Sequence, residues 1–135
     1  MALFSQLGNY RNFGLFVLRA GLGVMMFLHG LPELTGGIDQ WATRGHSMGL
    51  LNIHFFPILW GFLCAITETI GGIFCVLGLW FRLVCVLMVI NFIVAILYLF
   101  SKDHSVLGAS ESIELAFVFF GLIFVGPGTI SIDKG

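Results

Sequence analysis

Hydrophobic residues along this chain gather into four long runs, at about 13–30, 57–80, 82–100 and 111–126, with short polar interruptions between them. Each run approaches the roughly 20 residues that a helix needs to cross the hydrocarbon core of a bilayer, the last only when Glu111 and Glu114 are counted in. Lipid offers no hydrogen-bond partners, so a crossing segment must satisfy its own backbone and is read as a helix. The pattern therefore predicts an all-α fold, an integral membrane four-helix bundle forming a single domain over 1–135. Pro57 opens the second run, where a missing N–H costs little. Gly126-Pro127-Gly128 ends the fourth.

The connections differ in kind. Only Phe81 and its neighbours separate the second run from the third, which predicts a tight antiparallel hairpin. Residues 31–56 form a long, semi-polar loop in which Ile38, Trp41, Ala42, Gly45, Met48 and Leu51 recur at helical spacing. That spacing suits a short interfacial helix with Trp41 at headgroup level; an irregular cap over the bundle is the alternative.

Composition sharpens the membrane reading. The chain is 59% hydrophobic and 10% charged, with a mean hydropathy of +1.05, whereas a soluble domain carries about 25% charged residues. A net charge of −1 gives no basis for nucleic-acid binding. Arg11 precedes the first run, but no small-residue cleavage site follows, so that run is read as a retained helix and not as a signal peptide. Arg11, Arg82 and Lys134 fall on the side of the termini, Arg44 and Lys102 on the other. This bias places both termini in the cytoplasm.

Cys64, Cys75 and Cys85 all sit in apolar runs. Cys64 and Cys75 are separated by ~16 Å along one helix, beyond disulfide reach. Cys75 and Cys85 lie at similar depth on neighbouring helices, but small packing residues are the simpler reading, with no structural disulfide.

Few polar groups fall inside the runs. Arg19 and Glu68 would each cost about 3 kcal/mol if left unpaired at a helix centre. Measured from the side of the termini they lie ~10 Å and ~17 Å deep, with Asn91 at ~14 Å. An Arg19–Glu68 ion pair joined by Asn91 is the expected intramembrane polar site. Gly61, Cys64, Ala65, Gly72 and Cys75 share the face of Glu68, and Gly23, Met26 and Gly30 that of Arg19, as surfaces meeting other helices should. The plainer alternative is a polar clasp without chemistry.

His29, His46, His54 and His104 fall towards the other face, near Glu33, Glu111 and Glu114. No H-x-x-H or H-x-x-x-H pair occurs, so no metal site is read. His29 and Glu114, at the outer ends of the first and fourth helices, form a candidate outer-face site for a polar ligand headgroup. Phosphate-binding loops, nucleophile elbows and C-x-x-C pairs are all missing. The residues by themselves argue no reaction and no catalytic residue.

Several segments carry a family likeness: Leu18-Arg19-Ala20-Gly21-Leu22-Gly23 with Phe27-Leu28-His29-Gly30; Trp60-Gly61-Phe62-Leu63, Glu68-Thr69-Ile70-Gly71-Gly72, Leu77-Gly78-Leu79 and Phe81-Arg82-Leu83; then Glu114-Leu115-Ala116, Gly126-Pro127-Gly128 and Ser131-Ile132-Asp133. In order and spacing the chain resembles the DoxX family of small bacterial membrane proteins. The resemblance implies a four-helix bundle and marks Arg19, Glu68 and Glu114 as positions typical of the group. It also implies a subunit or accessory protein of a membrane-bound oxidoreductase system linked to quinones or thiols. A quinone is then the implied cofactor, with its ring between helices, and a membrane or soluble redox protein the implied partner. A non-catalytic scaffold or assembly factor is the alternative, and a small transporter or lipid-binding protein a third reading. Gly- and Phe-rich faces suggest a homo-oligomer.

Overall fold

The computed structural model describes residues 3–134. Among them there are five α-helices and no strand: α1 (Arg11–Thr35), α2 (Ile38–Gly45), α3 (Pro57–Leu77), α4 (Phe81–Asp103) and α5 (Ser110–Val125). Short 3-10 turns precede α1 (Ser5–Tyr10) and α5 (Leu107–Ala109), and another follows α2 (His46–Leu51). Four segments are long and apolar enough to cross a membrane: Ser5–Thr35, Pro57–Leu77, Phe81–Asp103 and Leu107–Val125. The chain is an all-α membrane bundle.

α1 runs past its expected end near Gly30, through Pro32, to Thr35. Proline forfeits one backbone hydrogen bond of its own helix, and the turn beyond it is tied to α2 by the Trp41 N–H on the Glu33 carbonyl and Arg44 on the Glu33 carboxylate. Further back along α1, Gly23 faces Gly72 of α3: a Cβ on Gly23 would lie 2.5 Å from the Gly72 carbonyl oxygen, and one on Gly72 2.6 Å from that of Gly23. Two glycines thus let the backbones touch, the close approach that small residues allow between membrane helices. The extension carries Glu33 on the last turns of α1.

α3 ends in a Schellman motif. Gly78 adopts φ +66°, its N–H donates to the Cys75 carbonyl (3.3 Å), and the Leu79 N–H donates to that of Phe74 (3.0 Å). Glycine suits this left-handed position because it has no Cβ to clash. Only 78–80 separate α3 from α4, the tight hairpin expected. The segment after α5 then runs back beneath this turn. Ile132 and Asp133 donate backbone N–H groups to the Leu77 and Gly78 carbonyls (3.1 and 2.9 Å), and the Asp133 carboxylate accepts the Phe81 N–H at 3.0 Å. It thereby caps α4 with a side chain from the far end of the sequence.

The helices form a row in which α1 packs on α3, α3 on α4 and α4 on α5, while α1 and α5 make no direct backbone contact. Met26, Cys75, Phe81, Val84, Cys85, Met88, Phe92, Phe119 and Leu122 fill the centre. The Phe92 and Phe119 rings stack at 5.8 Å. Outward positions are also apolar, Phe117 and Phe124 being 73% and 72% exposed. Such a surface suits lipid and not water.

Within the loop, α2 is followed directly by the 3-10 turn His46–Leu51, and α2 packs against the first turns of α3. The Trp41 backbone lies directly over Gly61, where no side chain would fit. The Trp41 ring, expected at headgroup level, is half-buried; its Nε1–H donates to the Glu33 carbonyl (3.0 Å), and its edge meets the Phe62 ring at 5.0 Å. It serves packing.

Candidate functional site

The two charges expected to pair do not meet. Arg19 is fully buried, and its guanidinium turns towards the C-terminal end of α3. Nη1 donates to the Cys75 and Val76 carbonyls (3.2 and 3.3 Å), and Nη2 donates to the Ile130 carbonyl. The cation also lies 5.7 Å from the Phe81 ring centroid and 5.9 Å from that of Phe16. The last carbonyls of a helix lack intrahelical donors and carry the negative end of its dipole. A guanidinium with five N–H groups matches several of them at once. Arg19 thus clamps three parts of the chain together: α1, the end of α3 and the returning C-terminal segment.

Glu68 finds its cation elsewhere. It lies mid-way along α3, 4% exposed, and its Oε1 accepts from Arg44 Nη2 at 2.6 Å and from Asn91 Nδ2 at 2.7 Å. Arg44, on α2, also pairs through Nη1 with Glu33 of α1. One guanidinium therefore sits between two carboxylates, and four helices meet in the cluster. Of the expected trio the structure brings Glu68 and Asn91 together and leaves Arg19 out. Glu33 Oε2 is buried and has no hydrogen-bond partner.

Glu33, Arg44 and Asn91 of this cluster line a cavity of about 530 Å³ whose wall draws on all five helices. Trp41 and Tyr98 give it aromatic walls and Val94, Ala95 and Leu99 an apolar floor. Glu33, Arg44, Asn91 and the free thiol Cys64 also face it. Cys75 and Cys85 are free too and fully buried.

His29 and Glu114 are both exposed, and they stand on α1 and α5, whose backbones make no direct contact. The structure does not assemble them into one site, and neither lines the cavity. His46, His54 and His104 are exposed as well. Among the described residues no group of three or more His, Cys, Asp or Glu is placed to hold a metal ion.

A family model described as DoxX matches residues 14–101. The chain belongs to the DoxX family. The match runs from the start of α1 almost to the end of α4, so it contains Arg19, Glu33, Arg44, Glu68 and Asn91. It includes the middle loop and α4, and it stops before α5 and Glu114. No curated protein matches the chain, and no solved structure does.

Arg44 and Glu33 are the residues of this DoxX site that the spacing of the apolar runs misses. Both lie outside those runs. A signal was present: Arg44 is the only Lys or Arg between 31 and 56, and it falls three residues after Trp41 on the amphipathic stretch.

Proposed function

We propose that this DoxX-family protein is a ligand-binding subunit or accessory protein of a quinone- or thiol-linked membrane oxidoreductase system, and that the cavity beside Glu68 receives a quinone headgroup. The observation that carries the reading is the cavity itself, with a fixed polar cluster in an otherwise apolar wall. Its volume, about 530 Å³, falls within the range of small-molecule sites, which pair apolar walls with a few placed polar groups. Trp41 and Tyr98 suit a flat ring, while Arg44 and Asn91 are held in place by Glu68. A bound quinone supplies two-electron, two-proton carriage within the membrane; the chain's own residues bind and orient the ring and exclude water. No reaction step is assigned to the chain itself.

The same reading places the protein in a bacterial inner membrane with cytoplasmic termini. Arg44 is committed to Glu33 and Glu68, so Lys102 is the loop-side cation left to weigh against Arg11, Arg82 and Lys134. That strengthens the positive-inside bias. The returning segment lies against the start of α1, the Thr129 N–H donating to Asn12 Oδ1 at 3.2 Å, as an even number of crossings requires.

A scaffold role is the second reading, favoured by the way Arg19 and Glu68 find partners within the fold. A thermal-shift series with short-chain ubiquinone and menaquinone analogues separates the two. Ligand binding raises the melting temperature with concentration by mass action, and Asn91→Leu weakens the response. A flat response in wild type up to about millimolar, where binding would be worth only ~4 kcal/mol, supports the scaffold.

A further inference from the structure

We infer that the end of the bundle carrying both termini holds a site for an anionic phospholipid, with its phosphodiester received by Arg82 and Lys134 and an acyl chain laid along the outward face of α4. The site stands apart from the cavity beside Glu68 and does not depend on how that cavity is read.

The feature that carries it is a cleft of about 360 Å³ lined by Trp80, Arg82, Leu83, Pro127, Asp133 and Lys134. It forms where the first turn of α4 meets the segment that returns after α5. Two cations and one carboxylate line it, and they are not placed alike. The Asp133 carboxylate is half-buried and turned to the Phe81 N–H, which it accepts at 3.0 Å. Arg82 and Lys134 are exposed, so the mouth of the cleft is positive. Arg82 is also held in direction: its Nε donates to the Ile123 carbonyl on the last turn of α5 at 3.2 Å. A planar guanidinium fork matches phosphate oxygens, and an ammonium adds a mobile point charge beside it. The amides of the first turn of α4 bring the positive end of that helix to the same place.

The charges alone would serve a free phosphate as well. Two features favour a lipid. Trp80 is 63% exposed at the level where α3 ends and α4 begins, and an indole there belongs in the headgroup layer. Leu83, Leu87 and Ile90 are all exposed, and their spacing of four and three sets them on one face of α4. This stripe starts in the cleft and follows the helix for ~10 Å. A chain tethered to a phosphate in the cleft therefore has apolar surface to lie against. Basic pockets at the ends of membrane helices draw acidic headgroups in this way.

The test is quenching of tryptophan fluorescence in the full chain, reconstituted into phosphatidylcholine vesicles with brominated phosphatidylglycerol or brominated phosphatidylcholine titrated in. The Trp80 share is the difference between wild type and Trp80→Phe, since Trp41 and Trp60 lie towards the other end of the bundle. Phosphatidylglycerol is expected to be preferred at Trp80 by at least about fivefold, the weight of one surface cation, because Asp133 offsets the other. Lys134→Gln and Arg82→Gln should each bring that ratio towards one. Arg11→Gln, which removes an exposed cation at the same end but outside the cleft, should leave it unchanged. Equal quenching by the two lipids in wild type overturns the inference, and so does a ratio that Lys134→Gln leaves unmoved. A fall of the same size in Arg11→Gln makes the preference a diffuse effect of surface charge and overturns the site. Millimolar inorganic phosphate should not displace the lipid; displacement assigns the cleft to free phosphate and overturns the lipid. If Arg82→Gln loses its cooperative melt along with the bond to Ile123, Lys134→Gln decides alone.

Discussion

Removing the guanidinium of Arg19 and removing that of Arg44 are expected to harm the protein in different ways. Arg19→Leu strips the donor from the Val76 and Ile130 carbonyls, at about 1–3 kcal/mol for each acceptor left unmet, while the Cys75 carbonyl keeps the Gly78 N–H. Arg19→Lys keeps the charge but loses the planar fork, and should fall between leucine and wild type. Arg44→Leu instead leaves Glu68 with Asn91 alone. Breaking a buried pair costs ~3–5 kcal/mol; with the Arg44 side chain 30% exposed, about 2–3 is expected. Adding Glu68→Gln to Arg44→Leu should restore part of that loss, since a neutral amide needs no counter-charge. Thermal melts in detergent supply two double-mutant cycles. Arg44 with Glu68 should couple by more than ~0.5 kcal/mol, while Arg19 with Glu68 should add within that margin. Coupling of the second pair, without the first, would contradict the geometry. The need of both charges for a partner was legible in the sequence, because lipid makes any buried ion costly. Their partners were not. Backbone carbonyls exist at every position and so mark nothing, and Arg44 belongs to a loop whose depth no hydropathy pattern fixes.

At the level of the helices, the Gly23–Gly72 contact decides how closely α1 and α3 approach. Gly72→Val inserts a side chain against the α1 backbone, only 2.6 Å from a carbonyl oxygen at its first carbon. It should lower the melting temperature sharply, as overpacking costs about 1–3 kcal/mol or more. Gly21 has nothing within 4 Å of the same position, and Gly21→Ala should be neutral within ~0.5 kcal/mol. Equal effects from the two would remove the contact from the account. The cap on α4 gives a second comparison: Asp133→Ala should cost ~1 kcal/mol. The four crossing helices were legible because lipid ties element type to length and apolarity. The ends were less so. α1 outruns its expected boundary because a neighbouring helix outweighs the local signal of Pro32. The packing of α2 on α3 rests on a glycine whose role appears only once the backbone lying over it is known.

For the whole molecule, four crossings with both ends on one side give a sharp expectation. Reporter fusions after Gly37, Phe81, Ser105 and Gly135 should read periplasm, cytoplasm, periplasm and cytoplasm in turn. A periplasmic signal after Gly135 would overturn either the crossing number or the orientation. The open row of helices, with α1 and α5 apart, explains why His29 and Glu114 do not form a site. Sequence places both at one depth, but depth says nothing about which helices are neighbours. The cavity escaped the sequence for a related reason, since its wall is drawn from α1, α2, α3, α4 and α5 together.

The clamp made by Arg19 also sets an order of events during synthesis. The arginine enters the bilayer with the first helix, long before the ribosome has made the carbonyls that will receive it. α3 brings two of them, and Ile130 arrives only after α5 has been made. Until then the young chain holds a cation in lipid with its partners incomplete. A polypeptide cut short before Ile130 keeps that defect for good, which makes it a natural target for membrane proteases. Chains truncated after Val125 should therefore turn over faster in cells than full-length protein, and Arg19→Leu should narrow the gap by removing the mark.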